Sequence, residues 1–169
     1  MDPPLPRRTG AGSRPSHLAF IFLQRLGWLE RSRQLFAGRV RLNLDDPLER
    51  YLAHLDFRLA ILAGAAEDYS CFVGTMVQEA FATSDALRAA SDASITAYSE
   101  QLAIDIQQAI DCHGIAGGVT ALGLAYHTQA VLQGAFILAK AKGDPALARD
   151  TVAHLKRYVL MLFGKDPEA

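Results

Sequence analysis

Apolar residues along most of this chain recur at spacings of three and four, the pattern of helices that bury one face. In "LDDPLERYLAHLDFRLAIL", Leu48, Leu52, Leu55, Leu59 and Leu62 form such a stripe. Asp46 is placed to cap the helix, Pro47 to occupy its first position, and Glu49 to reach back as the third residue of a capping box. Residues 67–83 put Tyr69, Phe72, Val73, Met76, Ala80 and Phe81 on one side. After a Ser84–Asp85 cap, Leu87, Ile95, Tyr98, Leu102, Ile106 and Ala109 make a long stripe that ends at the glycines of "CHGIAGG". A further helix is predicted over 118–142. "KGDP" then stops one helix at Gly143 and starts the next with Asp144 as cap and Pro145 as first residue, the last helix closing at Gly164. Upstream, residues 17–37 can form a helix interrupted by Gly27. No stretch alternates with period two between turn signals, so the fold class is all-α, with no sheet.

The helix over 118–142 departs from the pattern. From Val119 to Ala139 it has no charged residue, and its apolar positions exceed one buried face, with Gln129, Gln133 and Gly134 among them. With the next helix it forms a hairpin. Two such hairpins packed about a twofold axis would make a four-helix bundle and cover the excess, burying on the order of 1,600 Å² or more. The expected homodimer interface takes one stripe from each helix: Thr128, Leu132, Ala135, Phe136 and Ala139 on the first, and Ala148, Val152, Leu155, Val159 and Phe163 on the second. Gly134, with Ala130, Ala135 and Ala139, would permit close approach. The alternative is a helix buried entirely within its own chain.

Composition adds limits. At 169 residues the chain is one domain by length, able to bury well over half of its unfolded surface without a metal or disulfide. The net charge of −1 hides an asymmetry: residues 1–41 carry eight arginines, no lysine and two acids, a net of +6, and the remainder a net of −7. A basic arm can bind nucleic acid through phosphates. Residues 1–16, however, are rich in Pro, Gly, Ser and Arg with almost nothing to bury, and are expected to be a disordered leader. Cys71 and Cys112 form no ligand pattern and read as small buried hydrophobes in a reduced chain. The run Leu18 to Leu23 is too short to span a bilayer. The expectation is therefore a cytoplasmic protein with no membrane partner.

The titratable candidates are His54, His113, His127, His154, Glu79 and the cysteines. No metal-binding HExxH, glycine-rich phosphate loop or GxSxG elbow is present, and no base is visibly paired with a nucleophile, so neither an enzyme nor a cofactor or metal is expected. His127 and Gln133 lie within two turns, and Glu79 with Tyr98 could face them across a cavity. The expected effector site is an apolar cavity with a few polar handles, lined by Cys71, Phe72, Thr75 and Met76 on one helix, Tyr98 on the next, and Tyr126, His127 and Ala130 on the hairpin.

"CFVGTMVQEAF" at 71–81, "YHTQAVLQGAFILAKAKGDPALARDTVAHLKRYVLMLF" at 126–163 and the "DDPLERYLAHLDF" helix resemble the C-terminal regulatory domain of the tetracycline-repressor (TetR) family of bacterial transcription regulators. The resemblance covers roughly 35–164. It implies an antiparallel helical bundle that binds a small apolar or aromatic effector and dimerises through its last two long helices, below a helix-turn-helix headpiece that reads DNA. The sequence departs from the family before Leu35: neither an aromatic-rich recognition helix nor a serine-lysine-glutamate start to a connecting helix is found there. "MDPPLPRRTGAGSRP" is too proline-rich for a helix, and a lysine-free leader of this composition is what a shifted reading frame in GC-rich DNA often encodes, which suggests a truncated or frame-shifted family member. The resulting expectation is a leader over 1–16, an atypical helical segment over 17–43 in place of the headpiece, a regulatory domain over 44–164 and a tail over 165–169. Specific operator binding, which needs an intact headpiece, is not expected; the alternative is a stand-alone dimerisation and ligand-binding protein.

Overall fold

The computed structural model describes residues 44–60, 71–115 and 117–167; the leader and the segment expected over 17–43 lie outside the described residues. Five helices and no strand are found among the described residues: α1 Pro47–Ala60, α2 Phe72–Ala80, α3 Asp85–His113, α4 Ala121–Lys142 and α5 Pro145–Leu162.

Local chemistry sets the ends. The Asp46 carboxylate accepts the Leu48 N–H at 2.8 Å, the Ser84 hydroxyl that of Leu87 at 3.3 Å, and the Asp144 carboxylate that of Ala146 at 2.8 Å. Each satisfies an amide that the first helical turn leaves without a partner. Gly143 closes α4 in the left-handed region at φ 64°, a conformation that costs a residue with a Cβ but not glycine. Two starts differ from those expected. Of the helix expected over 67–83, residues 67–70 lie outside the described residues; Cys71 is extended at φ −79°, ψ 100°, and its thiol accepts the Gly74 N–H, so α2 begins at Phe72. The helix expected from Gly118 begins at Ala121, because Gly117 and Gly118 have φ of 78° and 65°, and Thr120 is the cap.

Packing follows from length. α3, with 29 residues, runs about 43 Å and serves as the backbone of the domain. α4 lies along it and pairs with α5 as the expected hairpin, α1 crosses α3 and touches α5, and α2 rests on α3. One apolar core joins α1, α3, α4 and α5 around Leu48, Tyr51, Leu55, Ile106, Leu124 and Leu132. A smaller cluster of Ala80 and Leu87, with Phe72 and Met76 packed against it, holds α2 to α3. Phe81, expected in the stripe, projects outward at 59% exposure. Cys112, expected to be buried, is exposed.

The hairpin turns differently from the expectation. Thr128, Leu132, Ala135, Phe136 and Ala139 on α4, and Ala148, Val152, Leu155, Val159 and Phe163 on α5, are all buried within the single chain. These two stripes face each other and the rest of the domain. Covered by their own chain, these ten side chains are not open to a second copy in this arrangement.

Candidate effector site and dimerisation face

The interior between α1, α3 and α4 carries more polar groups than its apolar core requires. Tyr51, one turn into α1, is fully buried, and its hydroxyl meets that of Thr128 at 2.6 Å. The Thr128 proton is directed to the Leu124 carbonyl at 2.9 Å, so the tyrosine donates. Burial pushes the Tyr51 phenol well above its ordinary range. One turn along, His54 Nε2 hydrogen-bonds the Tyr98 hydroxyl of α3, the two rings tilted by 54°. A further turn on, the guanidinium carbon of Arg58 lies 5.3 Å from the centre of the Phe136 ring on α4. Buried, unpartnered polar atoms among the described residues are Arg58 Nε and the hydroxyls of Ser91 and Ser99 on α3. At the other end of α1, Arg50 is saturated: its Nε donates to Asp105 at 3.2 Å and its Nη1 to the carbonyls of Leu44 and Asp45. Nearby, His113 Nε2 donates to Asp46 at 2.8 Å, and this bond holds the Asp46 carboxyl below its ordinary value.

The eight residues expected to line the cavity separate into two groups. Cys71, Phe72, Met76 and Tyr98 are half-buried around α2 and α3. Thr75 is exposed and donates its hydroxyl to the Cys71 carbonyl at 3.1 Å. Tyr126, His127 and Ala130 point outward from α4: Tyr126 is 40% exposed, and His127 packs edge-on against Tyr158 of α5, ring centres 5.3 Å apart. His127 therefore does not meet Glu79, which is exposed on α2, nor Tyr98, which pairs with His54. Polar α4 side chains that reach α2 and α3 include Tyr126, whose hydroxyl lies 3.5 Å from that of Thr96, Gln129, which donates to the Ile95 carbonyl at 3.5 Å, and Gln133 beside Gly74. A Cβ on Gly74 would come within 2.5 Å of Gln133 Oε1, the free end of a flexible side chain. His54 was among the titratable candidates but not among the expected cavity residues, and Arg58 was not singled out. Their signal was the spacing from Tyr51 and Leu55, which puts both on the inward flank of α1.

On the far side of the hairpin, Ala130, Gly134, Leu138 and Ala141 of α4 lie beside Leu147, Thr151, Tyr158 and Met161 of α5 by helical spacing. Leu138 is 49% and Met161 58% exposed, and a Cβ on Gly134 would meet nothing within 4 Å. Among the described residues no group of three His, Cys, Asp or Glu could hold a metal ion, and no helix is long and apolar enough to cross a membrane.

The tetracyclin repressor-like C-terminal domain model matches residues 47–155, which include four of the five helices and most of the fifth. The chain belongs to the TetR family. Its fold is similar to that of a TetR family transcriptional regulator from Cytophaga hutchinsonii, with a TM-score of 0.67 at 16% identity, over 83% of this chain and 70% of that one. A search of curated proteins finds no match. In TetR-family terms, the matched residues are the C-terminal domain, and residues 1–43 lie before the match.

Proposed function

We propose that this TetR-family chain is a homodimeric regulatory domain that holds a small, mostly apolar effector among α1, α2, α3 and α4, and pairs with its copy through the outward face of the α4–α5 hairpin. The observation that carries the reading is that face: Leu138, Met161 and Tyr158 stand exposed in the single chain beside Ala130 and Gly134, and no charged residue interrupts α4 before Lys140. An apolar face of this kind on a soluble domain marks an association site. The orphaned Arg58, Ser91 and Ser99 atoms support a ligand on the inner side, because a buried polar atom without a partner is destabilising until something bonds it. Function then follows from a population shift: an effector that binds one arrangement of α1 against α3 and α4 more tightly than another biases the helices toward it. DNA recognition would require a headpiece that residues 1–43 do not spell. The chain is expected to act in the cytoplasm.

Sedimentation equilibrium at micromolar concentration tests the dimer, and a thermal-shift screen of neutral aromatic and aliphatic compounds tests the effector site. The expected results are a two-chain mass and a dose-dependent rise in melting temperature, since a ligand that binds only the native state must stabilise it. A one-chain mass refutes the dimer, and a flat response across a broad library refutes the effector site.

A further inference from the structure

The outward face of the α4–α5 hairpin holds apolar or small residues, and where it departs from them it is titratable. His127 continues the α4 stripe one turn before Ala130, and His154 falls between Thr151 and Tyr158 on the α5 stripe. The His127 and Tyr158 rings meet edge-on, centres 5.3 Å apart and planes at 64°, and both residues are exposed, so the pair stands on the face and not in the core. On its own helix no charged residue precedes Lys140. On α5, Asp150, His154 and Arg157 are exposed beside Tyr158, and Asp150 is one turn before His154, within reach of that ring if it is protonated. On α3, which packs along another side of α4, Glu100 lines a groove with Thr120 and Leu122, and Asp92 accepts the Thr96 hydroxyl; Tyr126 and Gln129 are the α4 residues that bond to this helix. Among the described residues no carboxylate bonds His127, whose recorded contact is the Tyr158 ring.

Resting on the dimer reading above, we propose that the contact between the two copies is gated by protons and that His127 is the sensor. A neutral imidazole is a compact ring that packs within an apolar face, whereas its protonated form puts a cation on a surface that must lose its water when the copies pair. In the separate chain that cation keeps water on one side and the Tyr158 ring on the other. In the dimer the water is gone, and an aromatic ring offsets only part of the loss. Twofold symmetry brings a second, like charge into the same interface. The separate chains therefore bind the proton more tightly than the dimer does. Pairing is favoured at higher pH and weakens as pH falls through the ordinary histidine value of about 6.5.

The test uses the full chain in sedimentation equilibrium over a dilution series at about pH 7.5 and about pH 5.5, either side of the histidine value, at one ionic strength and with circular dichroism on the same samples. The dissociation constant is expected to be about tenfold larger or more at the lower pH with helicity unchanged, as linkage requires when the dimer excludes a proton from each copy. His127→Gln and His127→Phe, neither of which titrates, should stay dimeric at both pH values and lose the dependence, and His154→Gln should keep it. Equal dissociation constants for the parent at the two pH values overturn the gate and leave the dimer standing. A dependence that survives in both His127 variants, or that His154→Gln removes, overturns the assignment to His127. Both His127 variants monomeric at about pH 7.5 overturn it too, by making the imidazole a required contact and not a tolerated one. Helicity lost together with mass at the lower pH overturns the gate, because acid then unfolds the chain. A one-chain parent mass at both pH values overturns the dimer reading and the gate with it.

Discussion

The Tyr51 hydroxyl is the most deeply placed polar group of α1, and its bond to Thr128 has an asymmetry that sets the effect of losing it. Thr128 donates to the Leu124 carbonyl, so removing the tyrosine hydroxyl leaves no buried donor without an acceptor. Tyr51→Phe should therefore cost only about 1 kcal/mol, measured as a lower urea midpoint with an unchanged slope. The same substitution has a signature at high pH. Because burial raises the folded-state value of this acid above its ordinary 10.0, the folded protein keeps the phenol proton where the unfolded chain releases it. Stability contributed by neutral Tyr51 is complete below pH 10.0 and is lost as pH rises beyond it. Tyr51→Phe should flatten that alkaline decline. If parent and variant fall in parallel above pH 10.0, the phenol is not the group responsible.

At the scale of whole helices, the stops and starts carry much of the definition. The Asp144 carboxylate accepts the first free amide of α5, Pro145 fixes the first helical residue, and Gly143 closes α4 with a positive φ. Asp144→Ala should cost about 1 kcal/mol in chemical denaturation, and Asp144→Ser should recover most of it, since serine supplies another capping oxygen. These signals were readable in "KGDP" because capping involves only residues a few positions apart. The same holds for Asp46 and Ser84. Which side of a helix faces inward is a different kind of information. One residue turns the direction by 100°, and α4 is apolar nearly all round, so its neighbours decide the outcome rather than its own sequence. Thus Leu132 and Phe136, assigned to a second chain on spacing alone, seal the core instead, and Tyr126 and His127, assigned to the cavity, face out. Arg58 escaped notice for a related reason. An arginine beside a leucine stripe gives no sign in the sequence that Phe136 of α4 lies under it.

For the whole molecule, the remaining question is which face a second copy would cover, and two leucines six residues apart on α4 separate the answers. Leu132 has no exposure in the single chain, whereas Leu138 is 49% exposed on the outer face of the hairpin. A glutamate at 132 must desolvate its charge inside the chain, so Leu132→Glu should lose the cooperative unfolding transition altogether. A glutamate at 138 can stay in water if the chain is alone. In a twofold dimer built on Ala130, Gly134 and Leu138, the same substitution brings one charge from each copy into an interface of about 1,600 Å² or more, where desolvation costs several kcal/mol per ion. Leu138→Glu should therefore give a helical, cooperatively folding monomer where the parent is a dimer, with circular dichroism and sedimentation read on the same samples. Met161→Glu, on the neighbouring stripe of α5, should weaken the dimer in the same direction, because the two stripes form one continuous face. A parent dimer left intact by both substitutions would place the contact elsewhere, one candidate being the groove where exposed Ile104 of α3 and Leu122 of α4 lie.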